Sequence, residues 1–472
     1  MPSTPPLFSH QTANEYLHIP PNPNLSSRII YFIPGNPGLI SYYSDFLSLL
    51  SKSLPDSVIY GASHAGFEVD SDDADAQKAS SESSGGGNGD ERNEDVIIRS
   101  FLETETKIKT RRSGKPFGLR DQIEITRERL EGVVKALHED GRSGSGELET
   151  AMKTTREKGS KRQVILIGHS VGCYISMEII RHYQEVIIAR SSSETTSIDI
   201  DIDLALLLTP TLTHISLSPS GRLVAPLLNN IPYIPEILHA LVSGLTSTLS
   251  LIRFKTPSSF TSTPHNILNA LLSTIMSHPP SSAISTTSRF LRSQMGVKQA
   301  IWMGRDEMRE IWDDEWEDRV WGTDSSQQKA GGVVKVDGEN STKHTKLVLL
   351  FADQDHWVEN RVREELIRRR RPGSMNTGIH EGVEMLEEVD GQVLHGYGED
   401  GEPRTNSSAT GAGDGGENLL DGAGEEVKEM HRPGPTFIVE QKGELVHGFC
   451  IRHNEFVAKK VTGWIKERYD IV

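Results

Sequence analysis

The chain has 472 residues, 35% of them hydrophobic, and a formal net charge of −16 at pH 7. That charge comes from two tracts: residues 66–95 hold ten acidic and two basic residues, and residues 381–431 hold fourteen acidic and two basic residues. The remainder has a net charge of +4, which argues against a protein that anionic surfaces repel. It has no basic stripe interleaved with aromatic residues, so a nucleic-acid partner is not expected.

The N-terminal residues show no charged segment followed by an apolar run, so a secretory signal is not expected. The two cysteines, Cys173 and Cys450, belong to no CxxC pair. A zinc site or a disulfide framework is therefore not expected, and neither is another metal or a cofactor. An intracellular, reducing setting is the simplest expectation.

Apolar runs separated by helical patterns predict an α/β fold with a mostly parallel central sheet and helices on both faces. The predicted strands are residues 28–33, 57–60, 164–167, 202–208, 346–351 and 436–439. Helical patterns follow the first and third of these strands, and another covers residues 119–137. The acidic stretches at 66–116 and 373–431 are predicted to be disordered insertions.

About 135 residues without a strong strand pattern separate the predicted strands at 202–208 and 346–351. One crossover helix needs far fewer residues, so we predict a helical cap over residues 211–320. The core would then have two parts, residues 1–210 and residues 321–472.

The stretch 223–254 is strongly apolar, with three prolines and only two charged residues. Its helical run, residues 237–252, is shorter than the roughly twenty residues that span a bilayer. Two interpretations stay open. The stretch could insert into a lipid monolayer as a hairpin bent at the prolines, or it could form an apolar cap over the active site.

The pentapeptide at 168–172, Gly-His-Ser-Val-Gly, follows an apolar strand and precedes a helical pattern. A strand, G-x-S-x-G and a helix are the context of a nucleophile elbow, which predicts Ser170 as the nucleophile. The start of the helix also favours negative charge. An ordinary turn with a capping serine is the alternative. His169 is expected to pack beneath the turn.

A serine nucleophile needs a base that is oriented by a third group, and in this architecture the chain order is Ser, acid, His. Asp353 and Asp355 both follow the fifth predicted strand, and the spacing favours Asp355. Either could instead cap the next helix. His447 follows the last predicted strand and is the expected base.

The oxyanion of the tetrahedral intermediate needs N–H donors. One is expected from Val171, directly after the nucleophile. The other is expected from Asn36, because Gly35 allows close approach and Pro37 has no N–H. The alternative is that Pro-Gly-Asn-Pro-Gly is only a tight turn.

Taken together, these motifs resemble those of the lipid droplet-associated hydrolases, a family of the α/β-hydrolase superfamily. The segments that carry the resemblance are residues 31–38 (YFIPGNPG), 42–46 (YYSDF), 119–124 (LRDQIE), 168–172 (GHSVG), 208–211 (LTPT), 218–221 (SPSG), 355–358 (DHWV) and 447–449 (HGF). The resemblance implies an α/β-hydrolase acting on lipid esters such as sterol esters or triacylglycerols. It also implies residence on lipid droplets, with an endoplasmic reticulum pool, on the cytoplasmic face, and a role in neutral-lipid storage or turnover.

Three functions stay open: a serine hydrolase of lipid esters, a droplet-binding scaffold with little turnover, and an acyltransferase in which an alcohol replaces water. The expected partners are a lipid ester substrate and the monolayer of a lipid droplet, contacted through residues 223–254.

Overall fold

The computed structural model describes residues 8–20, 28–69, 115–140, 163–190, 200–251, 264–323, 344–371, 434–440, 443 and 445–471. Residues 70–114 of the first predicted disordered insertion and all of the second, 373–431, lie outside these ranges. Their disorder therefore stays a prediction.

The described residues form one eight-stranded sheet with the strand order β1-β2-β4-β3-β5-β6-β7-β8. The strands are β1 (Phe8–Gln11), β2 (Glu15–Ile19), β3 (Arg28–Ile33), β4 (Val58–Ala62), β5 (Gln163–His169), β6 (Asp201–Leu208), β7 (Lys346–Ala352) and β8 (Thr436–Glu440). β2 pairs antiparallel with β1 and β4, and the strands from β4 to β8 pair parallel. The predicted mostly parallel sheet is confirmed, and β1 and β2 are additional to the six predicted strands.

Helices cover both faces of the sheet. They are α1 (Ser44–Ser53), α2 (Leu119–Asp140), α3 (Val171–Arg190), α4 (Pro219–Asn230), α5 (Ile234–Leu251), α6 (Pro264–Ile275), α7 (Ser281–Arg292), α8 (Gly296–Glu310), α9 (Asp318–Trp321), α10 (Asn360–Arg370), α11 (Phe449–Arg452) and α12 (Asn454–Arg468). Ile30 and Phe32 of β3 share a buried cluster with α1 and α12, whereas Ile29 and Tyr31 share one with α2 and α3. Burial on both faces explains why the predicted strands are continuous apolar runs.

Helices α4 to α9 occupy the connection between β6 and β7, and its described residues include no strand. α4 begins at an N-cap, Ser218, whose side chain accepts from the N–H of Gly221, and Pro219 takes the first helical position. α8 packs against α4 and α5. The boundaries predicted for a cap, residues 211–320, stay a prediction.

In the part of the chain that the structure describes, no helix has both the length and the apolar character needed to cross a membrane. Within the same residues, no group of three or more His, Cys, Asp or Glu side chains is arranged to hold a metal ion. Cys173 and Cys450 are both free thiols.

Side-chain amides bind the backbone on both sides of the segment 70–114. In each case the carboxamide donates to the C=O and accepts from the N–H of one backbone residue, as a neighbouring strand would. The pairs are Asn14 with Val69, Gln122 with Ala65, and Gln299 with Phe117, with N···O distances of 2.8–3.0 Å.

Candidate active site

Ser170 lies in the tight turn between β5 and α3. Its φ of +54° is in the left-handed region, and its N–H donates to the carbonyl of Leu208 at 3.1 Å. The turn is crowded, because a Cβ at Gly172 would lie 2.3 Å from the carbonyl oxygen of Ile33, and one at Gly168 would lie 2.6 Å from that of Gly172. Gly172 is therefore required by the close approach of α3 to β3, and Gly168 by the close approach of β5 to α3.

The structure brings Ser170, His447 and Asp355 together in one hydrogen-bonded series. Nε2 of His447 lies 2.9 Å from Oγ of Ser170, and Nδ1 lies 2.8 Å from Oδ2 of Asp355. All three residues are 7% exposed. Because Oδ2 of Asp355 accepts the hydrogen on Nδ1, Nε2 is left to accept from the serine hydroxyl.

Asp355, and not Asp353, faces His447. The backbone N–H of Asp353 donates to the carbonyl of Glu440 at 2.9 Å, and its side chain is half-buried. Burial alone would raise the pKa of Asp355, but the hydrogen bonds from His447 and from the N–H of Trp357 lower that pKa below its usual value. Asp355 therefore carries the negative charge that a histidine base needs beside it.

His169 connects the turn to the backbone of His447. Its Nε2 donates to the carbonyl of His447 at 2.7 Å, and its Nδ1 accepts from the hydroxyl of Tyr43 at 2.7 Å. That hydroxyl in turn accepts from the N–H of Gly35 at 3.0 Å, and Thr209 donates to the same His447 carbonyl at 3.2 Å. Burial, followed by the charge of His447, lowers the pKa of His169 to about 3. A neutral ring fits this pattern of one donor and one acceptor.

The loop after β3 lies directly beside the nucleophile turn. A Cβ at Gly35 would lie 2.8 Å from Nδ1 of His169 and 3.0 Å from Cβ of Ser170. Within the described residues, the N–H groups of Asn36 and Val171 donate to no protein atom. Both predicted oxyanion donors are therefore free for a ligand.

The side chain of Asn36 contacts the helices inserted between β6 and β7. Its Nδ2 donates to the carbonyl of Ala300 at 3.0 Å and to Oε1 of Glu307 at 2.8 Å, both on α8. Glu307 is only 4% exposed, and burial raises its pKa to about 8. Glu307 carries no signal in the sequence, because a single acidic residue on an amphipathic helix is typical of a solvated face.

Large apolar side chains of α4 and α5 are exposed to solvent. Leu223 and Leu227 on α4 are 76% and 52% exposed, and Ile237, Leu241 and Leu245 recur every four residues on α5 at 46–63%. These five residues are called the apolar face below. Other side chains of α4 and α5 are buried, so the predicted apolar stretch is neither wholly buried nor wholly exposed.

A model of a family described as "Lipid-droplet associated hydrolase" matches residues 26–386. The match includes Ser170 and Asp355 but ends before His447. A lipid droplet-associated hydrolase of Gallus gallus is 27% identical over 234 residues, which are 49% of this chain and 52% of that protein. The chain thus spans about half the length of this curated relative.

Two solved structures are similar to the chain at 10% identity. A peroxisomal α/β-hydrolase of Saccharomyces cerevisiae has a TM-score of 0.40, with 97% of this chain and 82% of that chain covered. A carboxylesterase of Bacillus subtilis has a TM-score of 0.34, with 98% and 92% covered. Both TM-scores lie below 0.5, so neither likeness bears on function.

Proposed function

Because the chain belongs to the lipid-droplet associated hydrolase family, we propose that it hydrolyses carboxylic esters of lipids with Ser170 as the nucleophile. One observation carries the proposal: the series Asp355–His447–Ser170 ends on a serine in a left-handed turn between a parallel strand and a helix. The proposed substrates are sterol esters or triacylglycerols, because the family is named for the droplets that store them.

In the proposed acylation step, Oγ of Ser170 attacks the ester carbonyl while Nε2 of His447 takes the hydroxyl proton. Asp355 holds the ring by its Nδ1–H and stabilises the imidazolium that forms. The imidazolium then gives its proton to the leaving alcohol. A water activated by His447 cleaves the acyl-enzyme in the same way and releases the fatty acid.

The negative charge on the carbonyl oxygen would be held by the N–H groups of Asn36 and Val171. The position of Val171 at the start of α3 adds the favourable field of a helix N-terminus. The helices inserted between β6 and β7 would bind the acyl chain as a cap over this centre.

A fluorophosphonate probe tests the proposal directly, because it labels only an activated serine. We expect the label on Ser170 when labelled peptides are identified by mass spectrometry, and cholesteryl oleate or triolein should compete with labelling. A label on another residue, or none, would contradict the proposal. Labelling without ester turnover would favour the scaffold, and transfer to an added alcohol would favour the acyltransferase.

We further propose that the apolar face contacts the monolayer of a lipid droplet, on the cytoplasmic side, with a second pool at the endoplasmic reticulum. Large apolar side chains that are exposed close together mark interaction surfaces. A lipid monolayer is the partner that fits, since Ile237, Leu241 and Leu245 form an aliphatic row along one side of α5. Leu223 and Leu227 have the same four-residue spacing on α4. The predicted lipid-contacting stretch, residues 223–254, is described as far as residue 251.

Replacing Leu241 and Leu245 together by glutamine should weaken droplet binding about tenfold or more, since burying a leucine side chain contributes about 1.5–3 kcal/mol. Glutamine preserves helix propensity. The measurement is flotation with triolein droplets coated with phosphatidylcholine. The matched control replaces Ala240 and Thr248, which are exposed on the same helix, by glutamine. If the leucine variant and the control bind the droplets equally well, the apolar face does not contact the monolayer.

A further inference from the structure

We infer that Glu307 is a positioning residue that fixes the oxyanion loop, residues 34–38, through the side chain of Asn36. The inference rests on the proposed function, because it assigns Asn36 N–H to the oxyanion. It adds a residue from the inserted helices to those that position the oxyanion donors. Catalysis would then depend on how α8 packs against the loop that carries Asn36.

The contact is specific in geometry. Nδ2 of Asn36 has two hydrogens, and both are used: one is donated to the carbonyl of Ala300 at 3.0 Å and the other to Oε1 of Glu307 at 2.8 Å. A backbone carbonyl is available from any residue, so Glu307 provides the acceptor that depends on sequence. With its amide held at two points, Asn36 cannot rotate its side chain without breaking a bond. The direction of its own backbone N–H is restrained with it.

The chemistry of the pair explains why a carboxyl group stands there. An ionised carboxylate this deeply buried is costly, and its partner here is a neutral amide. Burial raises the pKa of Glu307 to about 8, and the hydrogen bond from Asn36 opposes that shift only in part. The carboxyl is therefore largely protonated near neutral pH, and its carbonyl oxygen accepts from Asn36. A glutamine has the same acceptor in the same place.

The position of the pair explains its effect on the reaction. The loop that carries Asn36 also carries Gly35, which lies against the nucleophile turn. Oxyanion contacts strengthen only in the transition state, so a misdirected N–H lowers kcat and leaves KM nearly unchanged. A merely structural role would instead lower the melting temperature and leave kcat intact.

The test measures kcat and KM of the full chain with p-nitrophenyl butyrate, together with the melting temperature of each variant. Glu307→Ala should lower kcat about tenfold to a hundredfold, as expected when a catalytic donor is misplaced by about 1 Å, with KM within about twofold. Glu307→Gln should stay within about threefold of wild type. Glu307→Met fills the space with only a weak acceptor, its thioether sulfur, and should be nearly as slow as Glu307→Ala, which separates the lost bond from a cavity.

Three further variants serve as controls. Glu310→Ala makes the same change one turn along α8, at a residue paired with Arg120, and should leave kcat unchanged. Asn36→Ala should match Glu307→Ala, and the double variant should lose no more, because both changes remove one interaction.

The inference is overturned if folded Glu307→Ala and Glu307→Met keep wild-type kcat, or if Glu307→Gln is as slow as Glu307→Ala. Failure of the proposed function is separate. If Ser170→Ala still hydrolyses the ester, the serine mechanism is wrong, whereas a dead Ser170→Ala beside fully active Glu307 variants removes only the role of Glu307.

Discussion

Ser170→Ala should lower kcat for ester hydrolysis by about 10⁵-fold, because it removes the atom that forms the acyl-enzyme. The residual rate would come from substrate binding and the oxyanion donors alone. The measurement is the hydrolysis of a soluble ester and of dispersed triolein, with circular dichroism to verify folding. Alanine lacks only the hydroxyl group, so the variant is expected to keep the turn.

The matched control is Ser176→Ala, on α3, the helix that follows Ser170. Its buried hydroxyl donates to the carbonyl of Gly172 and has no contact with His447, so activity should change by less than about threefold. Retention of more than a hundredth of the wild-type rate by Ser170→Ala would mean that another nucleophile performs the reaction.

Asp355→Asn should lower kcat by about 10⁴-fold while leaving the fold intact. An asparagine amide turned toward Nδ1 of His447 would stabilise the tautomer with its proton on Nε2, where it cannot accept from Ser170. The substitution would also remove the negative charge that stabilises the imidazolium of His447. Steady-state kinetics on the purified variant measure the loss of kcat. The substitution alters the hydrogen bond between Asp355 and His447.

Asp353→Asn makes the identical change two residues away and should stay within about threefold of wild type, because its backbone pairs with Glu440 and its side chain is half-exposed. A reversed pattern, with the Asp353 variant impaired and the Asp355 variant active, would assign the acid to Asp353.

The centre of the fold was predictable from sequence because its strands are buried on both faces. The runs that became β3 to β8 are nearly continuous apolar stretches, which is typical of parallel strands that are covered on both faces. β1 and β2 were missed because these short strands mix polar and apolar residues and pair antiparallel at the edge. The structure confirms the mostly parallel sheet with helices on both faces that the resemblance led us to expect.

The site was predictable only where chain order carries information. The motif around Ser170 and the order Ser, Asp, His picked out the three residues that the structure brings together. Spacing favoured Asp355 over Asp353 but left both open, since the choice depends on which one the loop turns toward His447.

The residues that support the site were not predictable at all. Tyr43 reaches His169 across 126 positions, and Glu307 reaches Asn36 across 271. Neither stands in a motif that specifies where its side chain points. Such contacts depend on how the helices pack against the sheet. The local sequence pattern does not determine this packing.

The amide pairs at the ends of the segment 70–114 have a consequence for changes within it. Its two ends are fastened by Asn14, Gln122 and Gln299, each of which lies outside the segment. Lengthening a loop with fixed ends costs little free energy. A change in the length or sequence of residues 70–114 is therefore expected to leave the three amide pairs, and with them the positions of Val69 and Phe117, unchanged.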